Sequence, residues 1–275
     1  MKNPIFRLYR NTDKWHNIPK MKDQTATIIE NTVIQNNYRL LKIQADFISS
    51  NAKPGNFVMI RVSSSLDPLL KRPFGIFDAV PPFIWIYYQV VGRGTRIMSG
   101  LSPGDRITIL GPLGNAFPSL QERNILGIAG GRGIAPIHFA LKVYAAQNQV
   151  TLVYGARSRS DLNLVNRLRE LDLKEMVLYT DDGSTGKKGS VTMDIQNLIR
   201  QYHIEVSVSC GPDPMFREIF QLTREIGIKS YISMESLMGC GFGVCQSCVV
   251  PTRESGYQKV CSDGPVFDIK DIAWY

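Results

Sequence analysis

Four of the five cysteines of this 275-residue chain fall between residues 240 and 261, as Cys240, Cys245, Cys248 and Cys261 in the spacing C-x4-C-x2-C-x12-C. A cysteine framework of disulfides is expected in short secreted chains, so crowding of this kind in a long chain points to a metal. The first three positions repeat the plant-type spacing for a [2Fe-2S] cluster, in which four thiolates converge on two irons. A loop wrapped that tightly has little room for side chains. Gly239, Gly241 and Gly243 in "MGCGFGVCQSC" meet that demand, because glycine reaches positive φ at low cost and lets backbone N–H groups approach the sulfurs. A four-cysteine zinc site is the alternative, but it usually uses two C-x2-C pairs, and the run holds one. Cys210 stands apart and is read as lying outside the ligand set.

The rest of the composition sets bounds. The length predicts about two domains of roughly 100 to 200 residues. No apolar run approaches the roughly 20 residues of a membrane span, and "MKNPIFRLYRNTDKWHNIPK" lacks the apolar core of a secretory signal. A cytoplasmic protein without membrane attachment is expected. The net charge is +8, but the basic residues form no stripe interleaved with aromatics, so nucleic acid is not an expected partner.

Residues 1–21 read as an N-terminal extension. Over 22–120, β-branched segments such as "YRLLKIQAD", "NFVMIRVS", "FIWIYYQVV" and "DRITILGPLG" alternate with turn residues, which predicts an antiparallel β-barrel domain. The period then changes. Over 121–232, strands ("NILGIAGG", "QVTLVYGAR", "EMVLYTDD", "EVSVSCG") alternate with helices ("APIHFALKVYAAQ", "DLNLVNRLREL", "VTMDIQNLIRQY", "DPMFREIFQLTREIG"), the pattern of a doubly wound parallel α/β domain. Residues 233–275 read as a small cysteine lobe with little regular structure, making the chain multi-domain α+β.

Several stretches fit cofactor chemistry. "AGGRGIAP" places Gly130, Gly131 and Gly133 between a buried strand and a helix, where backbone N–H groups and the helix dipole suit a phosphate. A tight turn alone explains these glycines equally well, and the run departs from G-x-G-x-x-G. In "KRPFGIFD" Arg72 is suited to a diphosphate, and in "YYQVVGRGT" Gly94 and Thr95 offer an N–H and a hydroxyl. "SCGPDPMF" ends a late parallel strand at Cys210, where open α/β sheets bind ligands, although a buried small residue is the simpler reading.

Taken in order, R-P-F, G-x-G-T, G-G-x-G-x-A-P and C-G-P-x-P-M resemble the ferredoxin–NADP reductase superfamily. With "SMESLMGCGFGVCQSCVV", "KVCSDGPVFD" and "TDDGSTGKKG", the chain resembles the electron-transfer subunits of class B dihydroorotate dehydrogenase over residues 22–275. The resemblance implies FAD in the barrel, NAD in the parallel domain and a [2Fe-2S] cluster in the lobe. It assigns FAD contacts to Arg72, Pro73, Phe74, Gly75, Tyr87, Tyr88, Gln89, Gly94 and Thr95, and cluster ligands to Cys240, Cys245, Cys248 and Cys261. Its implied partner is an FMN-containing dihydroorotate dehydrogenase catalytic subunit, two of each chain, in pyrimidine biosynthesis. One departure stands out: the family usually has Ser or Thr where Gly75 stands, with a hydroxyl suited to flavin N5. No catalytic side chain is assigned, although Cys210 and Glu235 are candidates for lining the space near the reacting rings. Arg157, Ser158 and Arg159 would suit a 2′-phosphate, yet the resemblance favours NAD over NADP. Competing readings are a related reductase subunit serving a sulfhydrogenase, a ferredoxin-dependent transhydrogenase or glutamate synthase, and a zinc-bearing module without catalysis.

Overall fold

Apolar residues in the first half recur at the short intervals of half-buried strands, and the chain pairs them by tight antiparallel returns. In the computed structural model, which describes residues 21–254 and 256–274, this half holds β1 (Lys22–Gln35), β2 (Tyr38–Gln44), α1 (Asp46–Asn51), β3 (Phe57–Arg61), β4 (Arg72–Gly75), β5 (Asp78–Val80), β6 (Phe83–Gln89), α2 (Arg93–Ser99) and β7 (Arg106–Leu113). Apart from Met21, the expected extension lies outside the described residues. The strands form one antiparallel sheet, ordered β4-β3-β7-β1-β2-β6-β5. The sheet curls into a half-barrel: Phe74 on edge strand β4 meets Tyr88 on β6 edge-on at 6.1 Å, although four strands separate them in the order.

The second half contains β8 (Asn124–Gly130), a 3-10 turn (Gly131–Gly133), α3 (Ile134–Tyr144), β9 (Gln149–Ala156), α4 (Val165–Arg169), β10 (Glu175–Thr180), β11 (Lys187–Lys188), α5 (Ile195–Gln201), β12 (Val206–Cys210), α6 (Asp213–Ile226) and β13 (Lys229–Ser233). The sheet order β11-β10-β9-β8-β12-β13-β16, closed by β16 (Val266–Asp268), puts successive strands first to one side of β8 and then to the other. The switch point lies between β8 and β12, the place where such sheets bind ligands beyond their strand ends. α6 buries Met215, Phe216, Ile219, Phe220 and Thr223, one stripe at helical spacing, and stops at Gly227 with φ +83°.

Two helices are shorter than their periodicity predicts. Ahead of α4, Leu164 adopts φ +67°, and residues 160–161 turn toward the first sheet, where Asn36 and Tyr38 meet them. Ahead of α5, the Ser190 hydroxyl accepts from the Thr192 N–H and contacts its side chain. Such local bonds compete with helix formation.

α3 is buried nearly all round because it is covered by both sheets. His138 stacks on Phe77 with ring centroids 3.9 Å apart, and its Nδ1 lies 3.1 Å from the Phe77 carbonyl oxygen. One turn on, Lys142 reaches both oxygens of Asp78. Burial holds the imidazole below its usual 6.5. The unfolded chain therefore takes up a proton that the folded chain refuses, and stability falls as pH drops below 6.5. Replacing His138 with glutamine is expected to flatten the urea midpoint between about pH 7 and about pH 5. An unchanged slope would show that other groups carry the acid sensitivity.

The C-terminal segment has more regular structure than the sequence predicts. β14 (Val249–Thr252) pairs with β15 (Gly256–Lys259), and β16 (Val266–Asp268) returns to pair antiparallel with β13. Asn115 ties it to the first sheet: its Nδ2 donates to the Asp263 and Val266 carbonyls, its Oδ1 accepts from the Val266 N–H, and its own N–H donates to the Gly264 carbonyl. Among the described residues no helix is long and apolar enough to cross a membrane.

Candidate functional site

A cleft of about 230 Å³ opens where the two sheets and the C-terminal segment meet. Pro73, Phe74 and Gly75 of β4, Tyr87, Tyr88 and Gln89 of β6, and Thr95 of α2 form one wall. Arg132, Ala135 and Pro136 at the start of α3, Cys210 at the end of β12, and residues of the 233–238 segment form the other. Tyr88 donates its hydroxyl to Asn31, and burial pushes its pKa up to about 12; burial pushes Tyr87 up as well. Both remain neutral aromatic walls. β4 has a neighbour on one side only, so its outer backbone edge is open to a ligand. Aromatic walls beside a free backbone edge fit a flavin, a flat ring system with one polar edge.

Arg72 and Gly94 sit behind this wall. The Arg72 guanidinium donates to the Leu70 carbonyl, and a Cβ on Gly94 would lie 3.1 Å from Arg72 Nε, so the glycine leaves room for the arginine. Thr95 lines the cleft, but its Oγ1 accepts from the Val91 and Gly92 N–H groups, so the hydroxyl closes its own turn. Gly75 has no need to be glycine for packing: a Cβ there would meet Pro136 at 3.7 Å, an ordinary contact. Gly75→Ser is therefore expected to keep the thermal midpoint, within about 0.5 kcal/mol of stability, while shifting the absorbance of bound flavin. A large loss of stability would show that the position is crowded.

Cys210 is fully buried, and burial pushes its thiol well above the usual range, with Glu235 adding to the shift and a hydrogen bond from Ser233 opposing it. It is a neutral thiol at the floor of the cleft. Glu235 lines the same cleft. Gly133 is not among the residues that line this cleft; it allows the turn before α3 to lie against the Cys210–Gly211 backbone.

A second cavity, of about 310 Å³, covers the switch point. Gly130, Gly131 and Pro212 line it, with Arg157 and Asp181 beyond the ends of β9 and β10. Gly131 has φ +53° and open space around it. Tyr38 and Asp161 close the side facing the first sheet. Of these, Tyr38 and Asp161 escape sequence reading, whereas Asp181 belongs to the "TDDGSTGKKG" segment that carries the resemblance without being singled out as a site residue.

The cysteine loop wraps beside the first sheet, and Gly241, at φ +84°, leaves no space for a Cβ against Met59. Its N–H groups point at sulfur: Phe242 and Cys245 toward Cys240, Cys240 toward Cys245, Gly243 toward Cys261 and Cys261 toward Cys248, at 3.1 to 3.5 Å. These N–H contacts join Cys240 with Cys245 in both directions and Cys261 with Cys248 in one. Among the described residues no three metal-binding side chains converge on a single point. Two pairs served by N–H donors fit a two-iron cluster with two thiolates per iron. As free thiols the pairs differ: hydrogen bonds from Ser247 bring Cys245 down to about 6, and burial pushes Cys261 up to about 12.

Comparison with known proteins agrees with this geometry. The family model for the iron–sulfur cluster binding domain of dihydroorotate dehydrogenase B matches residues 235–273, and that for an oxidoreductase NAD-binding domain matches residues 128–220. The dihydroorotate dehydrogenase B (NAD(+)) electron transfer subunit homolog of Aquifex aeolicus is 35% identical over 92% of this chain and 99% of its own length. The chain belongs to this family of electron transfer subunits. The Bacillus velezensis electron transfer subunit is also 35% identical, over 92% of this chain and all of its own. As a family member the chain is an NAD-linked oxidoreductase subunit that uses FAD and an iron–sulfur centre, with NAD as substrate. A solved structure of an NADH-dependent reduced ferredoxin–NADP oxidoreductase, studied for flavin-based electron bifurcation, superposes with a TM-score of 0.76 at 29% identity, covering 90% of this chain and 89% of that one. A ferredoxin–NADP reductase from Neisseria gonorrhoeae shares the fold, with a TM-score of 0.62 over 75% of this chain and 92% of its own.

Proposed function

We propose that the chain carries electrons from an FMN-containing dihydroorotate dehydrogenase catalytic subunit to NAD, in a cytoplasmic assembly of two of each chain serving pyrimidine biosynthesis. Cys240, Cys245, Cys248 and Cys261 hold the [2Fe-2S] cluster. Pro73, Phe74, Gly75, Tyr87, Tyr88, Gln89 and Thr95 hold FAD, with Arg72 and Gly94 behind them. Gly130 and Gly131 receive the dinucleotide, Gly133 sets their distance from Cys210, and Cys210 floors the meeting place of the two rings. When bound, FAD supplies the exchange between a carrier of electron pairs and a carrier of single electrons.

The observation that carries this reading is the first cleft, which is walled by all three parts of the chain. A ligand there touches the nucleotide turn through Arg132, Ala135 and Pro136, and reaches toward the cysteine loop through the 233–238 segment. The side chains position the rings; electrons that arrive singly and leave in pairs as hydride need one proton per pair, which solvent reaching the open cleft supplies, so no side chain is assigned that task. A second reading, a subunit serving a reduced ferredoxin–NADP oxidoreductase, is favoured by the likeness to that solved structure. Anaerobic co-expression with an FMN-containing catalytic subunit decides between them. A stable complex with dihydroorotate-dependent NAD reduction is the expected result; a complex reduced only by ferredoxin would transfer the chain to the second reading.

A further inference from the structure

Behind the first cleft three chain segments meet, and two asparagines hold them together. Residues 53–57 lead into β3, residues 113–117 leave β7, and residues 263–267 follow the fourth cysteine of the loop. Gly55 and Pro265 from this junction line the cleft itself. The segments lie close: a Cβ on Gly114 would come within 2.3 Å of Pro265 Cδ, and one on Gly55 within 2.8 Å of Val266 Cγ2.

Asn56 is 6% exposed, and every polar position of its side chain is bonded. Its Oδ1 accepts from the Lys53 N–H at 2.8 Å, and its Nδ2 donates to the Gly114 and Asn115 carbonyls, both at 3.0 Å. Its own carbonyl accepts from the N–H of Ile76, the residue after Gly75 of the cleft wall. Asn115 continues the path with four hydrogen bonds of 2.6 to 3.0 Å to Asp263, Gly264 and Val266. A primary amide on a short stem offers two donors and an acceptor at once, which neither serine nor an ionised aspartate can match.

The turn that bears Cys261 is closed on itself. The Lys259 carbonyl accepts from the N–H groups of Ser262, Asp263 and Gly264, and Asp263 Oδ2 accepts from the Lys259 N–H at 2.8 Å. Holding Asp263 therefore holds Cys261. Just beyond, the Pro265 carbonyl accepts from the Met234 N–H, which fixes the start of the 233–238 segment to the same turn. Hydrogen bonds thus run without a break from the end of β4, through Asn56 and Asn115, to the fourth cysteine.

We propose that Asn56 and Asn115 are positioning residues for electron passage between flavin and cluster, an inference that rests on the electron path assigned to the chain. The two amides set how closely the Cys261 turn sits against the flavin wall. Run backwards, NADH delivers a hydride, hence two electrons, to the flavin; one passes to the cluster and the other stays. Neither amide lines the cleft. Their loss alters the second transfer and leaves the first in place.

The test compares Asn115→Ala and Asn115→Asp with a control, Asn148→Ala, in the FAD- and cluster-loaded chain. Asn148 makes the same three kinds of bond, from Nδ2 to the Leu120 and Tyr144 carbonyls and to Oδ1 from the Arg123 N–H, but its partners lie outside the cysteine segment. One NADH per chain leaves an electron on each group, and their magnetic coupling, read by EPR, reports the separation. Asn115→Ala is expected to weaken that coupling and to slow bleaching of the cluster at least about tenfold, with flavin bleaching and iron content unchanged. Asn148→Ala should lower the urea midpoint alone. Asn115→Asp keeps the acceptor for Val266 and loses both donations, so it should weaken the coupling too, and it carries the test where alanine does not fold. Amide exchange needs no variant: the Val266 N–H should exchange as slowly as those of β3, and fast exchange would overturn the proposal. Equal effects from Asn115→Ala and Asn148→Ala, or an unchanged coupling in both Asn115 variants, would also overturn it while leaving the electron path standing. If NADH bleaches neither group in the unchanged chain, the electron path itself fails, and the positioning role with it.

Discussion

Cys248→Ser is expected to abolish the iron–sulfur absorption of the purified chain and to cut electron transfer from a partner subunit by at least about 100-fold. Cys248 is 1% exposed, and its sulfur accepts the N–H of Cys261 at 3.4 Å. On the proposed ligand set it is paired with Cys261, and its loss would leave one iron with a single thiolate. A serine oxygen is a harder and shorter ligand, poorly matched to a site built for sulfur. The unchanged chain should contain about two irons and two sulfides under anaerobic purification. Neither cavity is lined by Cys248. Reduction of a two-electron dye by NADH should therefore continue in the variant, separating loss of the cluster from loss of the flavin. Full iron content and an intact spectrum after the substitution would remove Cys248 from the ligand set.

Gly133→Ala is expected to cost roughly 2–4 kcal/mol of stability and to abolish reaction with NADH. The demand at this position is for space. Its φ of −58° and ψ of −13° are accessible to any residue. An added Cβ, however, would lie 2.1 Å from the Cys210 carbonyl oxygen and 2.4 Å from its carbon. Both are backbone atoms, so no side-chain rotation relieves the overlap, and the turn ahead of α3 must move away from the end of β12. That movement opens the switch point and the cleft floor together. Gly131 is the control: its φ is +53°, but nothing lies within 4 Å of an added Cβ. Gly131→Ala carries only the cost of a left-handed residue, about 1–2 kcal/mol. Urea denaturation read beside NADH reactivity separates the two, and equal effects would show that the contact with Cys210 is unimportant.

The alternation of strands and helices after residue 121 is legible because buried parallel strands and helices differ in length and period. The curled antiparallel half is legible for the same reason, as is the metal-bearing loop, whose spacing alone favours a cluster. The pairing of its thiols is not: it depends on the path between Cys248 and Cys261, which includes β14 and β15. The cleft is legible only in pieces. Phe74, Tyr88, Pro136 and Cys210 are far apart in sequence, and each alone reads as strand, turn or core. The shortened α4 and α5 escape period counting because local hydroxyl bonds and a left-handed Leu164 override it. Asp161 escapes for a related reason, since Tyr38, which donates to it beside the second cavity, lies more than a hundred positions earlier.

β16 gives the cysteine segment a duty unrelated to electrons. By pairing Ile232 with Phe267 and Ser233 with Val266, it covers the outer edge of β13, which would otherwise end the parallel sheet with unpaired backbone groups. Uncovered edges recruit strands from other molecules. A chain trimmed after Ser233 to yield a simple flavin reductase would therefore expose an adhesive seam and self-associate, so the iron-bearing segment also acts as the selvedge that keeps the sheet from joining its neighbours.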